Sequence, residues 1–265
     1  LKLSNVYLNT VGLLCAAGDS PASLKTGLLS DTDFLTMNNS FGTEAMPMGC
    51  YRGNLPAIPV KDRLWQSRNN QFALAAYQQI QTDVHKAIEQ YGKNRVGIVI
   101  GTSTSGISDA ETAIHASVTE GQLPESYHYS VQEMGNTAQF IASLAGVNGP
   151  VYAISTACSS GAKALASAKR LITSGLCDAV IAGGVDTLCR LTVQGFSALE
   201  AVSNEVCNPF SKNRNGINIG EAAALFVISK SEQGVLLRGI GESSDAYHIS
   251  APEPEGEGAA QCMQQ

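Results

Sequence analysis

Charge is the scarcest commodity in this 265-residue sequence: Asp, Glu, Lys and Arg make up 15% of it, against about 25% in ordinary soluble domains. Positive charge is scarcer still, with 17 Lys and Arg facing 23 Asp and Glu for a net charge of −6, which argues against a nucleic-acid binder. No apolar run approaches the ~18 residues that cross a bilayer; the longest are of the kind Ala222 to Ile228. The first residues, Leu1 to Val6, carry one Lys and alternate like a strand, without the apolar core and small-residue cleavage site of a signal peptide. The expectation is a soluble, cytoplasmic protein. Seven Cys form no Cys-x-x-Cys pair, so neither a zinc site nor a disulfide framework is indicated. No Gly-x-Gly-x-x-Gly follows a strand-like run either, which speaks against a dinucleotide fold.

What is abundant is packing material. Hydrophobic residues reach 44%, and there are 26 Gly; a chain of this length buries roughly 70–75% of its unfolded surface. The thin polar covering hints at surface buried against another subunit.

Strand-like and helix-like runs alternate throughout. Leu3–Asn9 reads as a strand, and Ser20 with Pro21 announces a helix. Asp31 to Gln66 is irregular. From Asn69 to Tyr91, Phe72, Ala76, Ile80, Val84 and Ile88 recur every fourth position and Gly92 closes the run, predicting a long amphipathic helix. Val96–Ile100 is a buried-type strand leading into the loop Gly101 to Gly106, and Ser108 with Glu111 predicts a capping box for a helix ending at Gly121. Further helices are expected over Thr137–Ala145, Ser159–Ser174 and Leu191–Val202, and strands over Val151–Thr156, Asp178–Gly183, Ala222–Ser229 and Val235–Ile240. The tail from Ala251 to Gln265 reads as disordered. This rhythm predicts an α/β fold, a mainly parallel sheet with helices on both faces.

Chemistry concentrates in Val151 to Lys169. A strand ends, small residues turn, and Cys158 falls where the next helix begins, a place that favours the thiolate. Taken alone, Cys158 is a nucleophile or a small buried thiol packed under a helix.

The stretch Thr156-Ala-Cys-Ser-Ser-Gly161 resembles the active-site signature of the β-ketoacyl-acyl-carrier-protein synthases, condensing enzymes of the thiolase fold. Val96 to Gly101, Gly149-Pro150, Asp178 to Asp186 and Pro209 to Glu221 follow in that family's order and at compatible spacing. The segments Asn208 to Ile228 and Leu188 to Phe196 are similar to ketosynthases of aryl-polyene clusters. The resemblance implies an acyltransferase of fatty-acid or polyketide biosynthesis that performs a decarboxylative Claisen condensation. Cys158 would accept the acyl group, and its own backbone N–H would be one oxyanion donor. No metal or organic cofactor is implied. Implied partners are an acyl carrier protein bearing phosphopantetheine-linked acyl and malonyl groups, and a second subunit in a homodimer or ketosynthase heterodimer.

The same resemblance assigns Met134 and Phe140 to an acyl pocket shared across the dimer, with a plain core role as the alternative, and Glu221 either to a buttress at the pocket floor or to a loop charge. An acidic carrier needs a local basic patch, for which Lys61, Arg63 and Arg68 are the candidates, with an ordinary solvated stretch as the alternative. Gly183, Gly184 and Asp186 are read as shaping a strand end. Cys15, Cys50, Cys177, Cys189, Cys207 and Cys262 have no metal-like spacing. One departure stands out. The family completes its site with two His, in His-Gly-Thr and Gly-His motifs of a second half, and none of His85, His115, His128 and His248 lies in such a context. The expectation is a first half over residues 1–232 and a curtailed start of the second over 233–265, unable to condense by itself. The alternative is a noncatalytic partner resembling a chain-length factor, or a fragment that only binds; Cys158 argues against the former, since chain-length factors typically lack that nucleophile.

Overall fold

A computed structural model describes residues 5–42, 44–59, 61–248 and 251–265. In chain order the elements are β1 (Tyr7–Cys15), α1 (Pro21–Leu28), β2 (Thr36–Asn38), β3 (Met46–Met48), α2 (Arg68–Tyr91), β4 (Val96–Gly101), α3 (Ile107–Glu120), α4 (Asn136–Ala145), β5 (Val151–Ile154), α5 (Ser160–Thr173), β6 (Ala179–Asp186), α6 (Arg190–Ala198), β7 (Ala222–Ser229), β8 (Val235–Leu236) and α7 (Glu257–Gln264).

Six strands form one sheet in the order β5-β4-β6-β7-β1-β8. The neighbours β5, β4 and β6 are parallel, and the remaining pairings are antiparallel, so that four of the six strands run in one direction. Alternation along the central strands distributes their side chains to two cores. Ile98, Ile100, Ile181 and Leu225 face α2 and α4, where Phe72, Tyr77, Ile80 and Phe140 fill the space. Val99, Val180 and Ala182 face the opposite way, onto Ala164, Ala168 and Ile172 of α5. Helices thus cover both faces, as the sequence rhythm requires.

Helix ends follow local chemistry. Ser20 accepts from Ser23 N–H in a capping box with Pro21 in the first turn, and Ser67 caps α2 by accepting from Asn70 N–H. Gly92 and Gly146 close α2 and α4 at positive φ.

Several expectations are corrected. The first strand runs over Tyr7–Cys15, displaced from Leu3–Asn9, of which Leu3 and Ser4 lie outside the described residues. The capping box at Ser108 and Glu111 does not form. The third helix starts at Ile107 after Gly106, whose N–H is held by the Val131 carbonyl, and Glu111 instead accepts from the backbone N–H groups of Arg190 (2.8 Å) and Leu191 (2.7 Å). A carboxylate from α3 therefore caps α6. Helix α6 stops at Ala198 because the chain turns at Glu200, which has φ +54°. Strand β8 ends at Leu236 because Lys169 Nζ takes the carbonyls of Leu237 (2.9 Å) and Arg238 (2.7 Å). The tail is not without structure: Glu253 accepts from Glu255 and Glu257 N–H to start α7, and Ser243 Oγ donates to Gly258 O.

Phe140 has no exposed surface and lies against Trp65 with ring centroids 5.9 Å apart. Phe140→Ala is expected to cost about 3–5 kcal/mol and Phe140→Leu less than about 1.5 kcal/mol, measured by urea denaturation. Equal, small losses for both would remove Phe140 from the core.

Candidate active site

Three parallel neighbours, β4, β5 and β6, deliver their carboxyl ends to one edge of the sheet, the place where open α/β sheets hold ligands. After β5 the chain turns through Thr156 and Ala157 to Cys158, and α5 begins at Ser160. Ala157 has φ +51°, a left-handed conformation costly for a residue with a Cβ. Hydrogen bonds hold it there. The Ala157 carbonyl accepts from Ser103 Oγ (2.9 Å), Ser160 Oγ (2.6 Å) and Ser160 N–H (3.1 Å), and Ser160 Oγ accepts from Thr156 N–H at 2.8 Å. The Cys158 N–H, on the other side of that peptide, has no acceptor among the described residues, and the Cys158 side chain is exposed. An exposed thiol with a free backbone donor beside it is the minimum equipment for acyl transfer.

The turn is seated by close backbone contact. A Cβ on Gly101 would overlap the backbone of Ser160, and Gly161 and Gly184 meet with a Cβ on the latter only 3.3 Å from the former's Cα. These glycines allow α5 to start directly against the ends of β4 and β6.

Cys158 opens on a cavity of about 370 Å³. One wall is polar, made by Ser103, Thr104 and Asp186; the other is the face of α6 carrying Leu191, Gly195 and Phe196, continued by Leu199 at its C-cap, at helical spacing. Gly195 sits in mid-helix, and a Cβ built there meets nothing within 4 Å. Neither a turn nor crowding calls for glycine at this position; it enlarges the cavity. Sequence reading missed this wall entirely. The available signal was topological: the Ser/Thr loop after β4 and the helix after β6 follow strands parallel to the one that presents Cys158.

Asp186 ends β6 and draws in the loop after β4. Its Oδ1 accepts from Ser103 N–H (2.7 Å), Thr104 Oγ1 (2.9 Å), Thr104 N–H (3.0 Å) and Thr102 Oγ1 (3.0 Å).

Glu221 is a buried, hydrogen-bonded carboxylate rather than an exposed loop charge. It is 4% exposed, lines a wider groove that also reaches Cys158, and accepts from Tyr51 N–H (3.1 Å), Leu188 N–H (3.4 Å) and Arg68 Nε (3.0 Å), with a second bond from Arg68 Nη2 to its other oxygen. Arg68 is accordingly no free surface cation for a carrier. Its guanidinium is committed to Glu221 and lies 5.0 Å from the Phe72 ring centroid, and the hydrogen bond to Glu221 raises its pKa further. Arg68 N–H donates to Asp109 Oδ2 (3.1 Å), a carboxyl that burial pushes up from the ordinary range. Lys61 is exposed, and Arg63 is exposed but donates to the Glu125 carbonyl. Phe140 belongs to the core of its own chain, apart from the cavity beside Cys158, because its face of α4 turns toward α2 and the sheet. Met134 is half-buried just ahead of α4 and does not line that cavity. The four His lie on α2 (His85), on α3 (His115), before a short 3-10 turn (His128) and in the tail (His248), and none lines the cavity. Among the described residues no cluster of three or more His, Cys, Asp or Glu could hold a metal ion, and no helix is long and apolar enough to cross a membrane.

With this arrangement in view, residues 48–234 match the family described as β-ketoacyl synthase, N-terminal domain, and the chain belongs to that family. It is 30% identical over 222 residues to 3-oxoacyl-(acyl-carrier-protein) synthase 2 of Staphylococcus aureus, covering 78% of this chain and 55% of that protein. It is 32% identical over 185 residues to the synthase of the same name from Rhizobium meliloti strain 1021, covering 63% and 44%. The chain spans about half the length of the curated relatives it matches. Among solved structures, a chain of the ketosynthase (ApeO) complex with its chain length factor (ApeC) from Xenorhabdus doucetiae superposes with a TM-score of 0.92 at 37% identity, over 98% of this chain and 68% of that one. The ishigamide ketosynthase/chain length factor shares the fold at a TM-score of 0.84 and 22% identity, over 98% and 68%.

Arg68→Met leaves a buried carboxylate without its cation and is expected to cost roughly 2–3 kcal/mol, the low end for a buried pair because the Arg side chain is partly exposed. Adding Glu221→Gln should recover part of that loss. A double variant less stable than Arg68→Met, by denaturant titration, would contradict the buttress.

Proposed function

We propose that this chain carries the acyl-accepting half of a β-ketoacyl-acyl-carrier-protein synthase. The Cys158 sulfur attacks the carbonyl of an acyl thioester, the tetrahedral oxyanion is met by the Cys158 N–H, and the carbon–sulfur bond to the carrier thiol breaks. The acyl group ends on Cys158, and the thiol proton of Cys158 goes to the departing carrier thiol. The acyl chain then occupies the apolar wall formed by α6. The observation that supports this most is an exposed thiol, next to an unpaired backbone donor, at the mouth of a cavity with one apolar side.

In the complete reaction, a malonyl-carrier loses carbon dioxide and its carbanion attacks the acyl group. That step forms the new carbon–carbon bond, breaks the Cys158 carbon–sulfur bond and releases a Cys158 thiolate, which takes a proton from water to return to the thiol. The enolate of that step needs hydrogen-bond donors, which the resemblance gives to two His; no His of this chain lines the cavity. Acylation is therefore the step assigned to the described residues. The partners we assign are an acyl carrier protein, for which the exposed Lys61 and Arg63 are the basic contacts, and a second ketosynthase-fold subunit, into whose pocket Met134 would reach. A noncatalytic role resembling a chain length factor is disfavoured because Cys158 and its turn are intact.

Intact-mass spectrometry after incubation with short and long acyl thioesters tests this. The native chain should gain one acyl group and Cys158→Ala none. Gly195→Leu should keep the acetyl adduct and lose roughly tenfold or more of the long-chain rate, because a side chain worth ~1–3 kcal/mol of pocket filling enters the cavity. An adduct that survives Cys158→Ala, or no adduct on the native chain, would overturn the proposal.

A further inference from the structure

Asp186 stands one step behind the nucleophile. It reaches no backbone atom of the Cys158 turn itself, yet four donors of residues 102–104 converge on its Oδ1. The middle residue of that set, Ser103, has its N–H fixed by Asp186 at 2.7 Å and its hydroxyl on the Ala157 carbonyl at 2.9 Å. The Ala157 carbonyl and the Cys158 N–H belong to one planar trans peptide and point in opposite directions. Whatever sets the carbonyl sets the N–H. The φ of +51° at Ala157 means that this peptide does not hold its orientation by intrinsic preference; it must be held from outside.

We infer that Asp186 is a positioning residue which, through Ser103, aims the Cys158 backbone N–H at the position where an oxyanion forms. The inference rests on Cys158 as the acyl acceptor proposed above. The link is directional: Asp186 orders the loop, Ser103 bridges it to the turn, and the peptide plane carries the orientation to the donor. Other features around Asp186 agree with a preorganised loop. Thr104 Oγ1 also accepts from Thr187 N–H (3.1 Å), and Thr102 Oγ1 from Ser105 N–H (2.9 Å), so both hydroxyls that Asp186 orients are themselves parts of the scaffold.

Two measurements on the full chain test this. The first is the amide spectrum of protein labelled with 15N-cysteine, in which the Cys158 resonance, one of seven, is assigned by its loss in Cys158→Ala. Asp186→Ala and Ser103→Ala should displace that resonance, Asp186→Asn should displace it less, and most of the other six should stay in place. The second compares two reactions of the same thiol: acylation by an acyl thioester, which passes through an oxyanion, and alkylation by iodoacetamide, which does not. Acylation should slow by roughly tenfold to a hundredfold in each variant, below the ~10²–10³ for outright loss of an oxyanion donor, while alkylation stays within about twofold. Asp186→Ala and Ser103→Ala combined should be no slower than the worse single variant. A Cys158 resonance unmoved in folded Ser103→Ala, or equal losses in both reactions, would overturn the inference. Failure of the native chain to accept an acyl group would instead remove the functional reading, and the resonance would still decide whether Asp186 sets the peptide.

Discussion

Everything about this site depends on how closely helix α5 can approach the sheet. The helix begins against the ends of β4 and β6 with backbone on backbone, at Gly101, Gly161 and Gly184. That contact leaves no room for a gradual entry into the helix, so the chain turns sharply through a left-handed alanine and presents Cys158 outward. Glycine supplies the proximity, and the hydroxyls of Ser103 and Ser160 hold the conformation that results.

The scarcity of charge has a structural counterpart. Four of the 17 cations bridge separate elements: Arg68 on Glu221, Arg95 on Asp178, Arg170 on Glu242, and Lys169 on the carbonyls after β8. These pairs differ in weight. The Arg95–Asp178 and Arg170–Glu242 pairs are substantially exposed and hold their carboxyls below the usual range at small energetic value. Arg68–Glu221 is different because the carboxylate is buried, and it ties the start of α2 to the start of β7 beside the groove that reaches Cys158. A residue that looks from sequence like part of a basic docking patch is thus an internal strut.

The elements with strong local signals were legible from sequence. Four-residue periodicity and a closing glycine located α2; continuous apolar runs located β4 and β7; Ser20 and Pro21 located α1. Cys158 was legible because strand, small-residue turn and helix follow in order. What sequence could not disclose are the contacts that join distant segments. Glu111 has the spacing of a local cap but serves α6, seventy-nine residues on; Phe140, open from sequence to a pocket or a core role, packs in the core of its own chain. Gly195 carries no turn signal, and only the empty space around it shows why a glycine is there. Asp186 was read as shaping a strand end, which it does, but the four donors that it gathers come from a loop some eighty residues earlier.

The two walls of the cavity divide the chemistry by physical character. The α6 face offers apolar surface and an unfilled position at Gly195, and so, for the acyl groups proposed above, would discriminate by size, in steps of ~1–3 kcal/mol. The wall of Ser103, Thr104 and Asp186 offers fixed dipoles. Its hydroxyls are already engaged with Asp186, Ala157 and Thr187, so they are spent on keeping the turn in place, and little remains for recognising a substrate. On the proposed acylation, selectivity and transition-state stabilisation would therefore reside on opposite sides of Cys158. On that reading, substitutions on α6 would change which acyl group is accepted without disturbing the Cys158 peptide, whereas a change at Asp186 would reach that peptide through Ser103, whose hydroxyl donates to the Ala157 carbonyl beside Ser160.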